Sequence, residues 1–193
     1  GWCFMFAQSH HPAMKFIMPI RKSIPQKTIF NVLGPLTNPA EIQKYMLGVF
    51  DKSFTTKMAE ALKMNGATSA LVVSSKEGMD EIGISDITYA SRLENGKITE
   101  FEIDPQSYGL KLAPLEAIKG GEARENGKIM LDIFNNSATV AQTEIVLLNT
   151  AASLMVEGLA RDIQDGLEMG REALFNARAK KKLKQIVEIS NKL

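Results

Sequence analysis

The stretch from Lys44 to Ser74 limits the possible folds of this chain more than any other. Lys44-Tyr45-Met46-Leu47-Gly48-Val49-Phe50 reads as a buried strand, and Asp51 or Ser53 can cap the helix that follows. In that helix Phe54, Met58, Ala61 and Leu62 share one face, and Asn65-Gly66 ends it. The next run, Ser69-Ala70-Leu71-Val72-Val73-Ser74, is apolar almost without alternation, as expected of a parallel strand covered on both faces. Strand, helix and strand make a βαβ unit with a right-handed crossover. Ligands in such sheets bind outside the carboxyl ends of the strands, which directs attention to the loop from Ser75 to Ile82.

Further elements are added on either side. Between Ile87 and Ile103 the period is two, with Ile87, Tyr89 and Leu93 before Asn95-Gly96 and Thr99, Phe101 and Ile103 after it; Asn-Gly between alternating runs predicts a hairpin. Asp104 to Gly121 reads as irregular. The remainder reads as helices, around Ala123 to Phe134, from about Ala138 to Ala160, and two more to the C-terminus; the second is apolar nearly all round at Ile145 to Ala152 and should be the most buried. Near the front, Pro12 suits a first helical turn and the run Ala13 to Met18 predicts a short helix with Arg21 and Lys22 at its far end. The segment Thr28 to Pro39 is apolar and then turn-rich, predicting a buried element that enters a tight loop. The expectation is a single α/β domain over residues 1–193, with a mostly parallel central sheet, flanking helices and an antiparallel hairpin.

Composition excludes several classes of function. With 23 Lys+Arg against 22 Asp+Glu the net charge is +1, so the electrostatic drive toward nucleic acid or an anionic membrane is missing. No apolar run approaches the roughly 20 residues that span a bilayer. The single cysteine, Cys3, can form neither an internal disulfide nor a CxxC site, which predicts an intracellular chain without structural zinc. Gly1 is not an initiator Met and Gly1 to Phe6 lacks a basic leader; the expectation is a chain that starts mid-protein, with Trp2, Phe4 and Phe6 as a buried strand or helix end.

Three constellations carry chemistry. His10-His11-Pro12 with Arg21 offers an imidazole and a rigid guanidinium fork that suit an aromatic organic acid; the alternative is a pair of helix-capping histidines and a solvated arginine. Gly78-Met79-Asp80-Glu81-Ile82 puts two adjacent carboxylates at a strand's carboxyl end, a donor set for Mg²⁺ that leaves room for water and phosphate oxygens. Its alternative is an exposed acidic turn. In Asn31 to Pro39, Gly34 lets the backbone approach a ligand while Pro35 and Pro39 fix the turn; a rigid connector would look the same. The basic run Arg178 to Lys184 alternates with Ala179, Leu183, Ile186 and Val187 and reads as the solvated side of an amphipathic helix.

In order and spacing, Ser9-His10-His11-Pro12-Ala13-Met14-Lys15, Arg21, Thr28-Ile29-Phe30-Asn31-Val32-Leu33-Gly34-Pro35-Leu36-Thr37-Asn38-Pro39, Gly78-Met79-Asp80-Glu81 and Leu147-Leu148-Asn149-Thr150-Ala151-Ala152 resemble the anthranilate phosphoribosyltransferase family. The Thr28 to Pro39 string is the most specific. The resemblance is to the C-terminal α/β part, a fold of the nucleoside phosphorylase/phosphoribosyltransferase type. It implies transfer of phosphoribose from 5-phosphoribosyl-1-diphosphate to anthranilate in tryptophan biosynthesis, a cytoplasmic enzyme, and a homodimer at full length. By matching motif, His11, Arg21 and Pro35 would line the anthranilate path, and Asp80 and Glu81 would hold Mg²⁺.

Two departures accompany the resemblance. Lys22 to Lys27 stands where the family usually has a glycine and often an arginine. No GTGGD-like or KHGNR-like stretch occurs, so the backbone donors and cations that hold a phosphate-rich substrate are missing and the chain alone should be inactive. Two rival readings are an inactive structural or interaction module of the same fold, and a pyrimidine nucleoside phosphorylase.

Overall fold

The computed structural model describes residues 2–5, 10, 14–24 and 33–192, with the side chains at positions 14, 15, 18, 21 and 22 outside that description. They fall into two compact units, Gly1–Ile42 and Gln43–Leu193.

In the first unit, helix α1 is Met14–Ser23. It carries Pro19 in its interior and continues past it to Ser23, with Arg21 and Lys22 at its far end. A single turn, α2 (Leu33–Leu36), follows, and none of its residues is buried. Residues 28–32, the apolar part of the expected buried element, lie outside the described residues. Trp2 and Phe4, expected to be the buried end of a larger unit, are 61% and 74% exposed in this chain and belong to no strand; Phe6 is outside the description.

The second unit is built on a four-stranded sheet in the order β1-β2-β3-β4. β1 (Lys44–Gly48) and β2 (Ser69–Ser75) are parallel, Gly48 facing Val73. They are joined by a 3₁₀ turn at Lys52–Phe54, capped by the Asp51 side chain, and by helix α3 (Thr55–Met64). β3 (Thr88–Glu94) is antiparallel to β2, and β4 (Lys97–Ile103) is antiparallel to β3. Asn95 and Gly96 both have positive φ, 50° and 73°, the backbone that a two-residue hairpin requires. This corrects the expected mostly parallel sheet. The hairpin joins the same sheet as the βαβ unit, so two of the three strand pairings are antiparallel.

β2 is buried on both faces. Leu71 and Val73 enter the main core with Ala90 and Ile103, whereas Val72 shares its face with Ser91, whose hydroxyl bonds the hydroxyls of Thr55 and Thr56 on α3. Against the Leu71–Val73 face pack α5 (Val140–Glu157) and α6 (Ile163–Phe175), which follow α4 (Ala123–Phe134) and precede α7 (Arg178–Ser190). Leu148, Ala151, Ala152 and Leu167 are inaccessible to solvent. The two helices touch closely: a Cβ built on Gly166 would lie 2.7 Å from the Ala151 Cα. On α7, Ala179, Leu183 and Ile186 are half-buried and the lysines face solvent, as the amphipathic reading expects, whereas Val187, expected on the apolar face, is exposed. Among the described residues no helix is long and apolar enough to cross a membrane.

Candidate functional site

Asp80 and Glu81 lie on the loop between β2 and β3, directly beyond the carboxyl end of β2. Both residues are exposed while their neighbours Ile82, Gly83 and Ile84 are buried, so the loop dips into the core as soon as the acidic pair is past.

Hydrogen bonds fix the backbone on each side of the pair. Ser75 accepts from the Met79 amide through Oγ (2.9 Å), and its own N–H donates to the Met79 carbonyl (3.0 Å). After the pair, the Ile82 amide donates to Asn149 Oδ1 (3.0 Å) and the Ile82 carbonyl accepts from Asn149 Nδ2 (2.9 Å). The Gly83 amide then donates to the buried Thr88 hydroxyl (3.0 Å). Beneath the pair, β1 ends in Gly48 because nothing larger fits: a Cβ there would meet the Asp80 carbonyl oxygen at 1.4 Å. Further out, Lys76 Nζ and Asp86 Oδ2 are paired at 2.7 Å, and the Ser85 hydroxyl donates to Glu77. The mutual hydrogen bond raises the Lys76 pKa and lowers that of Asp86, but the pair is exposed and adds little stability.

The electrostatics of the acidic pair combine partial desolvation with a neighbouring like charge. The Glu81 carboxyl is held above its ordinary value of 4.5, mainly because its surroundings partly desolvate it and secondly because Asp80 is next to it. Glu81 as a residue is exposed, so this shielding is local to the carboxyl. A hard divalent cation relieves both effects. Mg²⁺ takes one or two protein carboxylates and fills its shell with water and substrate oxygens, so two adjacent, solvent-facing carboxylates fit it as an incomplete site does. Among the described residues no group of three or more His, Cys, Asp and Glu gathers around a common point.

The other expected site residues belong to the first unit. His11 lies outside the described residues. Arg21 is in the last turn of α1, its side chain outside the description. Pro35 is half-buried in α2, where Thr37 closes the turn with its hydroxyl on the carbonyls of Leu33 (3.1 Å) and Gly34 (3.2 Å). Gly34 has no left-handed φ, and among the described residues nothing stands within 4 Å of where a Cβ would be. A separate cleft of about 490 Å³, lined by Lys52, Tyr89, Glu100 and Phe101 among others, does not include the acidic pair.

Sequence reasoning found the loop but not what holds it. Asn149 had a readable signal: an amide within the apolar run Ile145 to Ala152 must find partners. Gly48 had one as well, since an isolated glycine inside an apolar strand marks a close backbone approach.

The profile of the glycosyl transferase family, a/b domain, matches residues 1–180, and the chain belongs to that family. Within it the chain is similar to anthranilate phosphoribosyltransferase from Rhodopseudomonas palustris (strain BisB18), with 43% identity over 191 residues, 99% of this chain and 56% of that protein. The enzyme of the same name from Methanobrevibacter smithii is 42% identical over 189 residues, 98% of this chain and 56% of its own. Among solved structures, anthranilate phosphoribosyltransferase from Thermus thermophilus superposes with a TM-score of 0.84 at 34% identity, covering 92% of this chain and 52% of that one. A Saccharomyces cerevisiae anthranilate phosphoribosyltransferase in complex with PRPP and Mg shares the fold at 23% identity and a TM-score of 0.86, covering 95% of this chain and 53% of that one. The chain thus spans about half the length of the curated relatives it matches.

Proposed function

We propose that this chain is the α/β part of an anthranilate phosphoribosyltransferase, which moves phosphoribose from 5-phosphoribosyl-1-diphosphate to the amine of anthranilate. The observation that carries the reading is 43% identity sustained over 99% of the chain with a protein of that name. The acidic pair beyond β2, fixed by backbone hydrogen bonds on both sides, gives it a chemical centre.

In the reaction the bond from C1 of the ribose to the diphosphate oxygen breaks, the diphosphate leaves with the electron pair, and the anthranilate nitrogen forms the new bond and loses one proton. Mg²⁺ held by Asp80 and Glu81 would supply positive charge where the departing diphosphate accumulates negative charge. Arg21 would pair with the anthranilate carboxylate through its guanidinium fork, and His11 and Pro35 would complete the wall that orients the ring. The amine is neutral at pH 7, so it needs orientation rather than deprotonation before attack, and effective concentration supplies the advantage. Ser75, Asn149 and Gly48 keep the acidic pair in place throughout.

Turnover of anthranilate, Mg²⁺ and the sugar diphosphate tests the reading. The chain alone should be silent, and joining it to the polypeptide that makes up the rest of a relative's length should give product. In that joined protein Arg21→Ala and Asp80→Asn should each abolish most of the rate. Unchanged turnover in both variants refutes the assignment, and phosphorolysis of a pyrimidine nucleoside in place of anthranilate consumption replaces it.

A further inference from the structure

Asn149 lies within the most buried part of α5, yet its amide is committed entirely to backbone groups. Oδ1 accepts from the Ile82 amide (3.0 Å), and Nδ2 donates both to the Ile82 carbonyl (2.9 Å) and to the Ile145 carbonyl one turn earlier on its own helix (3.0 Å). The bond to Ile145 fixes the rotation of the amide. The two bonds to Ile82 then grip one residue by both its donor and its acceptor, as a neighbouring strand would, and that residue directly follows Glu81.

Position along a chain can be specified by one hydrogen bond, but the orientation of a backbone segment needs two. The loop receives two on each side of the acidic pair, from Ser75 at Met79 and from Asn149 at Ile82. Only the Asn149 clamp comes from outside the β2–β3 connection, reaching across 67 residues of sequence. The Ile82 side chain, fully buried, adds an apolar anchor that sets depth but not rotation.

Resting on the reading of Asp80 and Glu81 given above, we propose that Asn149 is a positioning residue: it touches neither substrate nor cation, and sets the direction in which the two carboxylates present their oxygens to a divalent cation. Mg²⁺ tolerates little departure from octahedral geometry at about 2.0–2.1 Å, so loss of orientation weakens the site even when both carboxylates remain. Groups that hold metal ligands in place typically change affinity by roughly 10–100-fold when removed.

The test compares the joined protein of the preceding subsection with its Asn149→Leu variant, which keeps the side-chain size, and its Asn149→Ala variant, which removes the amide. The control is Thr139→Ala, which weakens the same helix at its cap without touching the loop. Two quantities are read: amide hydrogen exchange at Ile82 and Gly83, and Mn²⁺ binding by water-proton relaxation in the presence of inorganic diphosphate. Both Asn149 variants should lose protection at Ile82 while β2 stays protected, and should bind Mn²⁺ roughly tenfold more weakly. Thr139→Ala should lower Tm and leave both readings alone. Asp80→Asn should abolish binding. Wild-type Mn²⁺ affinity in both Asn149 variants, or equal weakening in Thr139→Ala, overturns the positioning role alone. Failure of the wild-type joined protein to bind millimolar Mn²⁺, or binding undiminished in its Asp80→Asn variant, overturns the cation site itself and the positioning role with it.

Discussion

Gly48→Ala isolates the contact between β1 and the acidic loop. Gly48 has no left-handed φ, so an alanine there meets no backbone strain of its own and the whole effect is steric. The added Cβ would stand 1.4 Å from the Asp80 carbonyl oxygen, 2.2 Å from its carbon and 2.9 Å from its Cα. All three are backbone atoms, with no flexible end to swing away. Ordinary contact begins at 3.4 Å, so one side must retreat by about 2 Å. β1 is held in register with β2 at Gly48 and Val73, and the Val49 amide donates to the Val73 carbonyl at 2.8 Å, which leaves the loop to give way. Yet the loop is bound at Met79 and Ile82, so a shift of that size breaks at least one of these clamps. Overpacking costs about 1–3 kcal/mol and a lost buried hydrogen bond about 1 more. The sum, about 2–4 kcal/mol, corresponds to a fall in Tm of roughly 5–15 °C for a chain of this length. Urea denaturation with linear extrapolation measures the first, and amide exchange at Ile82 identifies the broken clamp. Gly34→Ala is the contrast, with no described atom within 4 Å of the added Cβ and no left-handed φ, and should shift stability by less than about 1 kcal/mol. A loss below about 0.5 kcal/mol for Gly48→Ala, with Ile82 still protected, refutes the argument.

Other perturbations have defined signs. Thr139→Ala removes a capping box in which the Gln142 amide donates to the Thr139 hydroxyl (3.2 Å) and the Thr139 amide to Gln142 Oε1 (3.3 Å); urea denaturation should show a loss of about 1 kcal/mol. Among the described residues Glu144 Oε2 is buried without a hydrogen-bond partner, so Glu144→Leu should leave stability unchanged or raise it by about 1 kcal/mol, and a loss of that size would contradict the assignment. Because the Glu81 carboxyl is raised above 4.5 in the folded chain, the folded state holds its proton more tightly than the unfolded one, and stability should decline as pH rises through and above that value. Thermal scans from acid to neutral pH should show that decline in the wild type, a flatter profile in Glu81→Gln, and partial restoration of the wild type by Mg²⁺ at neutral pH.

The parts of this fold that depend on local pattern were legible. Asn95-Gly96 specifies its hairpin through two positive φ angles, and the βαβ unit follows from the unbroken apolar run Ala70 to Val73 within β2. What the pattern cannot specify is which edge a hairpin will join. Sequence periodicity places β3 and β4 together but says nothing of β2, and that one pairing turns an expected parallel sheet into a mixed one. The acidic pair was visible for the same local reason, two adjacent carboxylates after a strand. Its supports were not, because they come from β1, from the end of β2 and from a helix 67 residues away, each contributing a group whose role appears only when the chain is folded.

That distribution has a mechanical consequence. The peptide units on both sides of the pair are pinned, so the loop cannot swing Glu81 out to full hydration; partial desolvation, and secondly the neighbouring Asp80, keep its carboxyl above its ordinary pKa. If Asp80 and Glu81 are the proposed cation ligands, a cation entering there would find them already oriented and avoid the entropy cost of ordering a flexible loop. The rigidity belongs to the sheet and to α5 together, since the Ser69 hydroxyl also donates to the Val156 carbonyl (2.8 Å) and Lys44 reaches the Glu157 carbonyl (2.5 Å) at the helix's far end. α5 is therefore tied to the sheet at its C-terminal end and to the acidic loop in its middle, and a displacement of the helix along its axis would strain both attachments before it moved Asp80 or Glu81.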